Sequence, residues 1–132
     1  MITTEIIYTE NAPQAIGPYS QAVRVGDMLY TSGQIPVNPV TGEVVEGGIK
    51  EQTRQVMENL GAVLKAANSS YEKAVKTTCF LADIDDFVAF NTVYAEYFTG
   101  KPARSCVAVK TLPKNVLCEV EVIAVVEEEI NF

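Results

Sequence analysis

Residues 102–125, PARSCVAVKTLPKNVLCEVEVIAV, contain two stretches in which apolar side chains alternate along the chain. Alternation with a period of two is typical of β-strands, so the pattern predicts strands at 102–109 and 116–125. Each strand carries a charge where a buried strand would carry an apolar residue, Arg104 in the first and Glu119 in the second. Such a charge must be solvated, paired or functional, because burying an unpaired ion is unfavourable.

The connection at 112–115, LPKN, predicts an antiparallel hairpin with Arg104 and Glu119 on the same face of the sheet. In this register Arg104 lies opposite Ile123 and Glu119 opposite Ala108, so the two charges are about 13 Å apart at ~3.3 Å per residue. No simple ion pair within one chain is therefore expected. The pattern leaves two interpretations open: unrelated charges on a solvated face, or parts of a functional site.

Length and composition indicate a single domain over residues 1–132, with 48% hydrophobic and 20% charged residues. No run approaches the length of a membrane span, and the N-terminus lacks the pattern of a secretory signal, so neither is expected. The three cysteines, Cys79, Cys106 and Cys118, form no CxxC motif. They predict reduced, packed thiols in a cytoplasmic protein.

The chain contains no histidine, which removes the commonest general base and metal ligand. The carboxylates are scattered and the cysteines unpaired, so we expect neither a metal nor a cofactor. The net charge of −7 opposes nucleic-acid binding, which requires a basic surface. A small anionic substrate remains compatible if one arginine dominates the local field.

Turn signals and periodicity predict the element order β-β-β-α-β-α-β-β. Gly26 and Asp27 form a plausible two-residue hairpin turn. The other predicted strands and extended pieces cover residues 5–8, 20–25, 28–32, 43–45 and 74–81.

Helical spacing of apolar residues predicts a first helix from Ile49 to Ala67, ended by Asn68 and closely packed at Gly61. A second helix is capped by Asp85 or Asp86 and ended by Gly100. Its predicted buried stripe comprises Phe87, Phe90, Tyr94, Tyr97 and Phe98.

This order implies an α+β sheet with both helices on one face. The last strand is mostly apolar on both of its faces, and no third layer remains to cover the second face. We therefore expect another subunit to cover it. The pattern does not give the number of subunits.

Several motifs, in this order along the chain, closely resemble the signature of the RidA/YjgF/YER family. They are AIGPYSQA at 15–22, TSGQIP at 31–36, QTRQ at 52–55, VKTT at 75–78, Asp86-Phe87 with Asn91, PARSCV at 102–107, LP at 112–113 and EVE at 119–121. The resemblance spans nearly the whole chain.

The resemblance implies a chorismate-mutase-like fold: a mixed sheet with two helices on one face. It also implies a homotrimer whose three sheets form a central barrel, with clefts between subunits. The implied activity is hydrolysis of 2-iminobutanoate and 2-iminopropanoate to 2-oxo acids and ammonia. These imines arise when pyridoxal-phosphate enzymes such as threonine dehydratase release an enamine, and their removal protects such enzymes.

Two residues match the family's catalytic positions. Arg104 offers a planar fork that can bind the substrate carboxylate bidentately. Glu119 is the candidate for taking a proton from water. An iminium carbon is already electrophilic, so neither a strong nucleophile nor a metal is required. Glu121, on the same face as Glu119, is interpreted as a structural or interface charge.

The residues matching the family's substrate-binding positions are Tyr19, Ser32, Gly33, Gln34, Ile35, Asn91 and Cys106. Gly33 permits close backbone approach to a ligand. Tyr19 either closes the pocket or is a packed loop aromatic, and Asn91 is either a pocket residue or an exposed helix residue. Cys106 is expected to act through its main-chain carbonyl, as in the family, rather than as a nucleophile.

Because Arg104 and Glu119 are too far apart to grip one four-carbon substrate, we expect a site built from two chains, unless a β-bulge shortens the gap. Family members have also been described as translation inhibitors or ribonucleases. A regulatory protein that binds a ligand without turnover, and a chaperone-like role for exposed apolar surface, are further alternatives.

Overall fold

The computed structural model describes residues 2–127 and contains the elements in the predicted order. The strands and helices are β1 Thr4–Ile7, β2 Ala22–Val25, β3 Met28–Thr31, α1 Ile49–Ala66, β4 Ala74–Leu81, α2 Phe87–Tyr97, β5 Ala103–Ala108 and β6 Cys118–Val125. The hairpin turn at Gly26 is confirmed, with Val25 paired to Met28 and a Gly26 φ of 58°. The extended piece predicted at 43–45 is reduced to one bridge between Val37 and Val44.

The predicted hairpin between the last two strands is wrong. The strand order is β1-β2-β3-β6-β4-β5, so β4 lies between β5 and β6, parallel to β5 and antiparallel to β6. The connection 109–117 crosses the end of β4 instead of turning back on itself. There, the Ala82 N–H donates to the Leu117 carbonyl at 3.0 Å. The unit β4-α2-β5 is a crossover, which joins parallel neighbouring strands.

The ends of both helices differ slightly from prediction. Helix α1 ends at Ala66, one residue before the predicted Ala67, and is followed by Asn68 with a φ of 60°. At the start of α2, Asp86 occupies the cap position but makes no side-chain hydrogen bond. Asp83 instead accepts the Asp85 N–H at 2.9 Å and caps the preceding short 3-10 turn. Helix α2 ends at Tyr97, before Gly100, and Lys101 rather than the glycine adopts a positive φ of 54°.

Both helices pack against one face of the sheet, where they enclose the core. In β6 the residues facing the helices are fully buried: Cys118, Val120, Val122 and Ala124. Of the predicted stripe, Phe90 and Tyr94 in α2 and Phe98 directly after it are buried, whereas Phe87 and Tyr97 are partly buried.

Close packing at Gly61 is confirmed. The Tyr71 ring lies over this glycine, and its hydroxyl donates to the Met57 carbonyl at 2.8 Å. A Cβ at position 61 would stand 2.8 Å from the Tyr71 Cζ, well inside van der Waals contact. The absence of a side chain therefore lets the Tyr71 hydroxyl reach the helix backbone.

We expect Gly61→Ala to lower the free energy of unfolding by about 1–3 kcal/mol through overpacking. This loss should occur although alanine is the better helix former by roughly 1 kcal/mol. Urea unfolding measures it, and the Tyr71→Ala background supplies the control, because removing the whole ring makes room for the new methyl group. The prediction is wrong if Gly61→Ala stabilises the protein that retains Tyr71.

The other face of the sheet carries a continuous apolar row. Sheet register aligns Ile6, Val23, Tyr30 and Ile123 across four neighbouring strands. Within residues 2–127 no element packs over this row, and Ile6 and Tyr30 are 71% and 47% exposed. We refer to this surface as the open face.

Candidate functional site

Arg104 lies on the face of β5 that is covered by the helices. It pairs with Thr77 of β4, a buried residue, so its side chain extends towards α2. The Arg104 Nη1 donates to the Asn91 Oδ1 at 2.7 Å. Its Cζ stands 4.9 Å from the centre of the Tyr94 ring and 5.5 Å from that of the Phe87 ring. Helix α2 thus holds the guanidinium group by one amide and two aromatic rings.

Tyr94 and Phe87 are parts of this arrangement that sequence analysis assigned only to the core. Their spacing contained the signal, since residues 87, 91 and 94 lie on one side of a helix. The Tyr94 hydroxyl shares a 2.7 Å hydrogen bond with the Thr77 hydroxyl. Asn91 was expected to contact substrate, yet its side-chain oxygen binds Arg104. Asn91 therefore contacts the predicted carboxylate-binding arginine directly.

Glu119 lies on the open face of the sheet. It pairs with Phe80 of β4, and its neighbours along β6, Cys118 and Val120, point towards the helices. Its carboxylate packs directly against Gly33, where a Cβ would stand 2.8 Å from the Glu119 Cδ. Partial burial, and secondarily the charge of Glu121, raise the pKa of Glu119. A raised pKa makes a carboxylate a better proton acceptor near neutral pH.

The backbone around Gly33 is held from several directions. Gln34 forms a bridge with Val120, with its N–H donating to the Val120 carbonyl at 2.9 Å. The Asn59 amide donates to the carbonyls of Ile35 and Val37 at 3.1 and 2.9 Å. Gly33 thus leaves room for Glu119, in a segment whose main chain is fixed.

Ser32 is tied to the loop that precedes β2. Its hydroxyl donates to the Ser20 carbonyl, and its N–H donates to the Gln21 carbonyl at 2.9 Å. The Ser32 side chain is predicted to line the site, and within this chain its hydroxyl joins two loops. The buried Gln21 amide also donates to three carbonyls of the N-terminal loop, those of Thr9, Ala12 and Pro13.

A cavity of about 340 Å³ opens beside this segment. Four predicted site residues contribute to its wall, namely Tyr19, Gly33, Gln34 and Ile35, together with Lys114 from the loop before β6. Tyr19 is 53% exposed, and its hydroxyl accepts the Ile16 N–H at 3.4 Å. Tyr19 therefore lies at the wall of this cavity with about half of its surface exposed.

Cys106 lies beside Arg104 on the helix-covered face, directly opposite Cys79 of β4. Burial raises the pKa of the Cys106 thiol, and the charge of Arg104 only partly opposes this effect. The thiol is therefore protonated at neutral pH. This argues against a nucleophilic role, since the thiolate is the reactive form.

The site residues form two groups on opposite faces of the sheet. The first group is Arg104, Asn91 and Cys106; the second is Glu119 with the loop residues around Gly33. The prediction that Arg104 and Glu119 share a face is wrong, because it assumed the hairpin. Their partners in β4, Thr77 and Phe80, are three positions apart and so point to opposite sides.

The distance between the two charged groups is as large as expected, for a different reason. One strand separates β5 from β6, so Arg104 and Glu119 are roughly 10 Å apart across the sheet and roughly 10 Å along it. Within residues 2–127 they form no ion pair with each other.

Two further properties of the described chain bear on the site. Across residues 2–127, no three side chains of metal-binding type come together. No helix in that range is both long and apolar enough to cross a bilayer.

Comparison with known proteins gives consistent matches over almost the entire chain. A family model described as endoribonuclease L-PSP matches residues 9–126. A RutC family protein of Pyrococcus horikoshii is 56% identical over 121 residues, which cover 91% of this chain and 96% of that protein. A Lactococcus lactis protein, named as a proposed regulator AldR, is 54% identical over 124 residues, which cover 93% of this chain and 98% of that protein. The crystal structure of Escherichia coli TdcF with bound serine matches with a TM-score of 0.88 at 46% identity, covering 93% and 99%.

Proposed function

This chain belongs to the endoribonuclease L-PSP family, also called the RidA/YjgF family, and we propose that it hydrolyses small 2-imino acids such as 2-iminobutanoate and 2-iminopropanoate to 2-oxo acids and ammonia. In this role it protects pyridoxal-phosphate enzymes in the cytoplasm from the reactive imines that some of them release.

The observation that carries this proposal is the environment of Arg104. Asn91, Tyr94 and Phe87 hold its guanidinium, and among residues 2–127 it forms no ion pair. A planar cation held in this way is suited to bind a carboxylate through two parallel hydrogen bonds. Every 2-imino acid carries such a carboxylate. The serine bound to Escherichia coli TdcF carries one as well, which supports the same class of ligand.

Glu119 supplies the second requirement of the reaction. Its raised pKa suits it to accept a proton from water while the water oxygen bonds to the imine carbon. The resulting carbinolamine then breaks its C–N bond. Glu119 returns the proton to the nitrogen, which leaves as ammonia, and the hydroxyl group loses its own proton as the carbon becomes the carbonyl of the 2-oxo acid. No redox step or cofactor enters this balance.

One substrate can contact both groups only if they come from different chains. Within one chain the sheet itself separates Arg104 from Glu119. We therefore assign them to neighbouring subunits of a homotrimer, in clefts at the subunit interfaces. The apolar open face, with exposed Ile6 and Tyr30, provides the surface that such an assembly would bury.

Light scattering should therefore give a mass of about three times 14.4 kDa. Tyr30→Glu places a charge in the centre of the open face and should dissociate the assembly, because burying an unpaired charge is unfavourable. Val88→Glu is the matched control, since Val88 is an exposed apolar residue on α2 instead of the open face. A wild-type mass near 14.4 kDa at micromolar concentration would rule out the trimer.

The proposed reaction is tested by generating the imine in situ. Threonine dehydratase acting on threonine releases the enamine and imine, and semicarbazide traps the imine as a semicarbazone. If the proposal is correct, adding this protein lowers semicarbazone formation and raises 2-oxobutanoate formation in proportion. If micromolar protein leaves the ratio of semicarbazone to 2-oxobutanoate unchanged, the proposed reaction is wrong.

A regulatory function is the second candidate, favoured by 54% identity to the proposed regulator AldR. It predicts that 2-oxo acids bind at the same cleft without any turnover of imines, so the same assay distinguishes it. A ribonuclease is disfavoured despite the family description, because a net charge of −7 repels a polyanion.

A further inference from the structure

Arg104 can bind a carboxylate bidentately only if its guanidinium plane is held in one orientation. An unrestrained arginine has many rotamers, and ordering it on binding lowers affinity. In this structure the restraint comes from α2, through three side chains one and two turns apart: Phe87, Asn91 and Tyr94. These three side chains differ in how firmly each can fix the plane of the Arg104 guanidinium.

Tyr94 is the most firmly fixed of the three. It is 8% exposed, whereas Phe87 is only partly buried. Its ring packs on Phe98, with ring centres 4.9 Å apart, and its hydroxyl is bonded to Thr77 at 2.7 Å. Thr77 is itself the β4 partner of Arg104. The ring is thus anchored to the same strand pair that carries the arginine.

The contact with Asn91 indicates which edge of the guanidinium is presented. Asn91 accepts from Nη1 at 2.7 Å. Among residues 2–127 the Arg104 guanidinium makes this single hydrogen bond. The edge formed by Nε–H and Nη2–H therefore remains for a ligand. Those two N–H groups are parallel and match the two oxygens of a carboxylate.

We propose that Tyr94 is a positioning residue, whose ring face holds the Arg104 guanidinium by a cation–π contact so that its Nε–Nη2 edge binds the substrate carboxylate. The inference rests on the proposed function for its substrate, but the contact itself is independent of turnover. A cation over an aromatic face is attracted by the negative charge density of that face. Loss of that attraction should therefore weaken carboxylate binding without removing any group from the reaction.

Two proteins isolate the cation–π attraction: one with phenylalanine at position 94 (Tyr94→Phe) and one with pentafluorophenylalanine at the same position. Both rings have nearly the same shape and neither bonds to Thr77, but fluorination reverses the charge of the ring face. The probe is 2-oxobutanoate, a stable carboxylate, with its dissociation constant measured by titrating the Arg104 Nε–Hε NMR signal. Arg104→Lys assigns that signal by its loss.

We expect Tyr94→Phe to bind 2-oxobutanoate within about threefold of wild type, and the fluorinated ring to bind about 3- to 20-fold more weakly than Tyr94→Phe. In imine hydrolysis the same change should raise KM by that factor and leave kcat within about twofold. Pentafluorophenylalanine at position 97 is the matched control. Tyr97 lies on the same helix but contacts Arg54 and Glu58, so its replacement should not alter affinity.

Equal dissociation constants for the phenyl and pentafluorophenyl proteins would overturn the positioning role. A change in kcat alone would also overturn it, since Tyr94 would then act in the chemical step. If the wild type fails to hydrolyse imines, the proposed function falls, but the Arg104 signal still reports the contact. In wild type the ring should shift the Hε resonance upfield, and Tyr94→Leu should remove that shift; an unchanged resonance would refute the contact.

Discussion

Replacing Arg104 with lysine is expected to lower kcat/KM for imine hydrolysis by about 10- to 150-fold while leaving the fold and assembly intact. Lysine keeps the positive charge but cannot offer two parallel N–H donors to a carboxylate. Loss of one charge-assisted hydrogen bond corresponds to roughly 1.5–3 kcal/mol. Lysine also lacks the flat group that the Tyr94 and Phe87 rings hold at 4.9 and 5.5 Å.

The measurement is the semicarbazide competition, with light scattering to verify assembly. Arg54→Lys is the matched control, because Arg54 pairs with Glu96 on the exposed surface of the two helices. This control should retain wild-type activity. If Arg104→Lys also retains wild-type activity, the carboxylate is bound elsewhere.

Cys106→Ala should have a mild effect on imine hydrolysis, since the expected contribution of Cys106 is its main-chain carbonyl. Abolished activity in that variant would overturn the assignment of roles.

Replacing Glu119 with glutamine should have the larger effect, lowering kcat by about 100- to 10,000-fold, the usual contribution of a general base. Glutamine keeps the shape against Gly33 and can hold a water molecule, but it cannot take the proton. The dissociation constant for 2-oxobutanoate should therefore change little. If Glu119→Gln keeps a kcat near that of wild type, another residue acts as the general base.

The pH dependence follows from the raised pKa of Glu119. In the proposed reaction the active form of Glu119 is the carboxylate, so activity should fall as pH drops through a pKa above the ordinary 4.5. Burial is the main cause of the shift and the charge of Glu121 the second. Glu121→Gln should therefore move this acidic limb to lower pH and leave the plateau rate largely unchanged. A limb that does not move would show that Glu121 does not influence Glu119.

The same shift affects stability, with the sign set by linkage. A carboxyl whose pKa is raised by folding binds its proton more tightly in the folded state, so stability falls as pH rises from the ordinary value through the raised one. At neutral pH the ionised Glu119 is therefore destabilising. Glu119→Gln should raise the Tm at pH 7. The difference in Tm from wild type should disappear below about pH 4, where Glu119 is protonated in both the folded and the unfolded state.

Local sequence patterns are enough to predict the type and order of the elements. Helix α1 is bounded within one residue because its apolar stripe and Asn68 are local signals, and the β2-β3 hairpin follows from Gly26. The tight packing at Gly61 was also predictable, because a glycine that weakens a helix has to be offset by close packing. Local backbone preferences and side-chain periodicity carry this information without reference to distant residues.

The identity of the candidate residues was also available from the sequence, through motifs whose spacing resembles one family. The surroundings of those residues were not. Tyr94 and Phe87 were assigned to a buried stripe, and Asn91 to the substrate. Only the docking of α2 onto β5 reveals that all three contact one guanidinium.

The choice of strand neighbours is visible only in the folded chain. Alternation tells which residues of a strand share a face, but it contains no information on the adjacent strand. Two strands joined by a short connection looked like a hairpin, yet β4 inserts between them because the β4-α2-β5 crossover makes β5 its parallel neighbour. That single insertion puts Arg104 and Glu119 on opposite faces of the sheet, which is why the proposed site takes them from neighbouring chains.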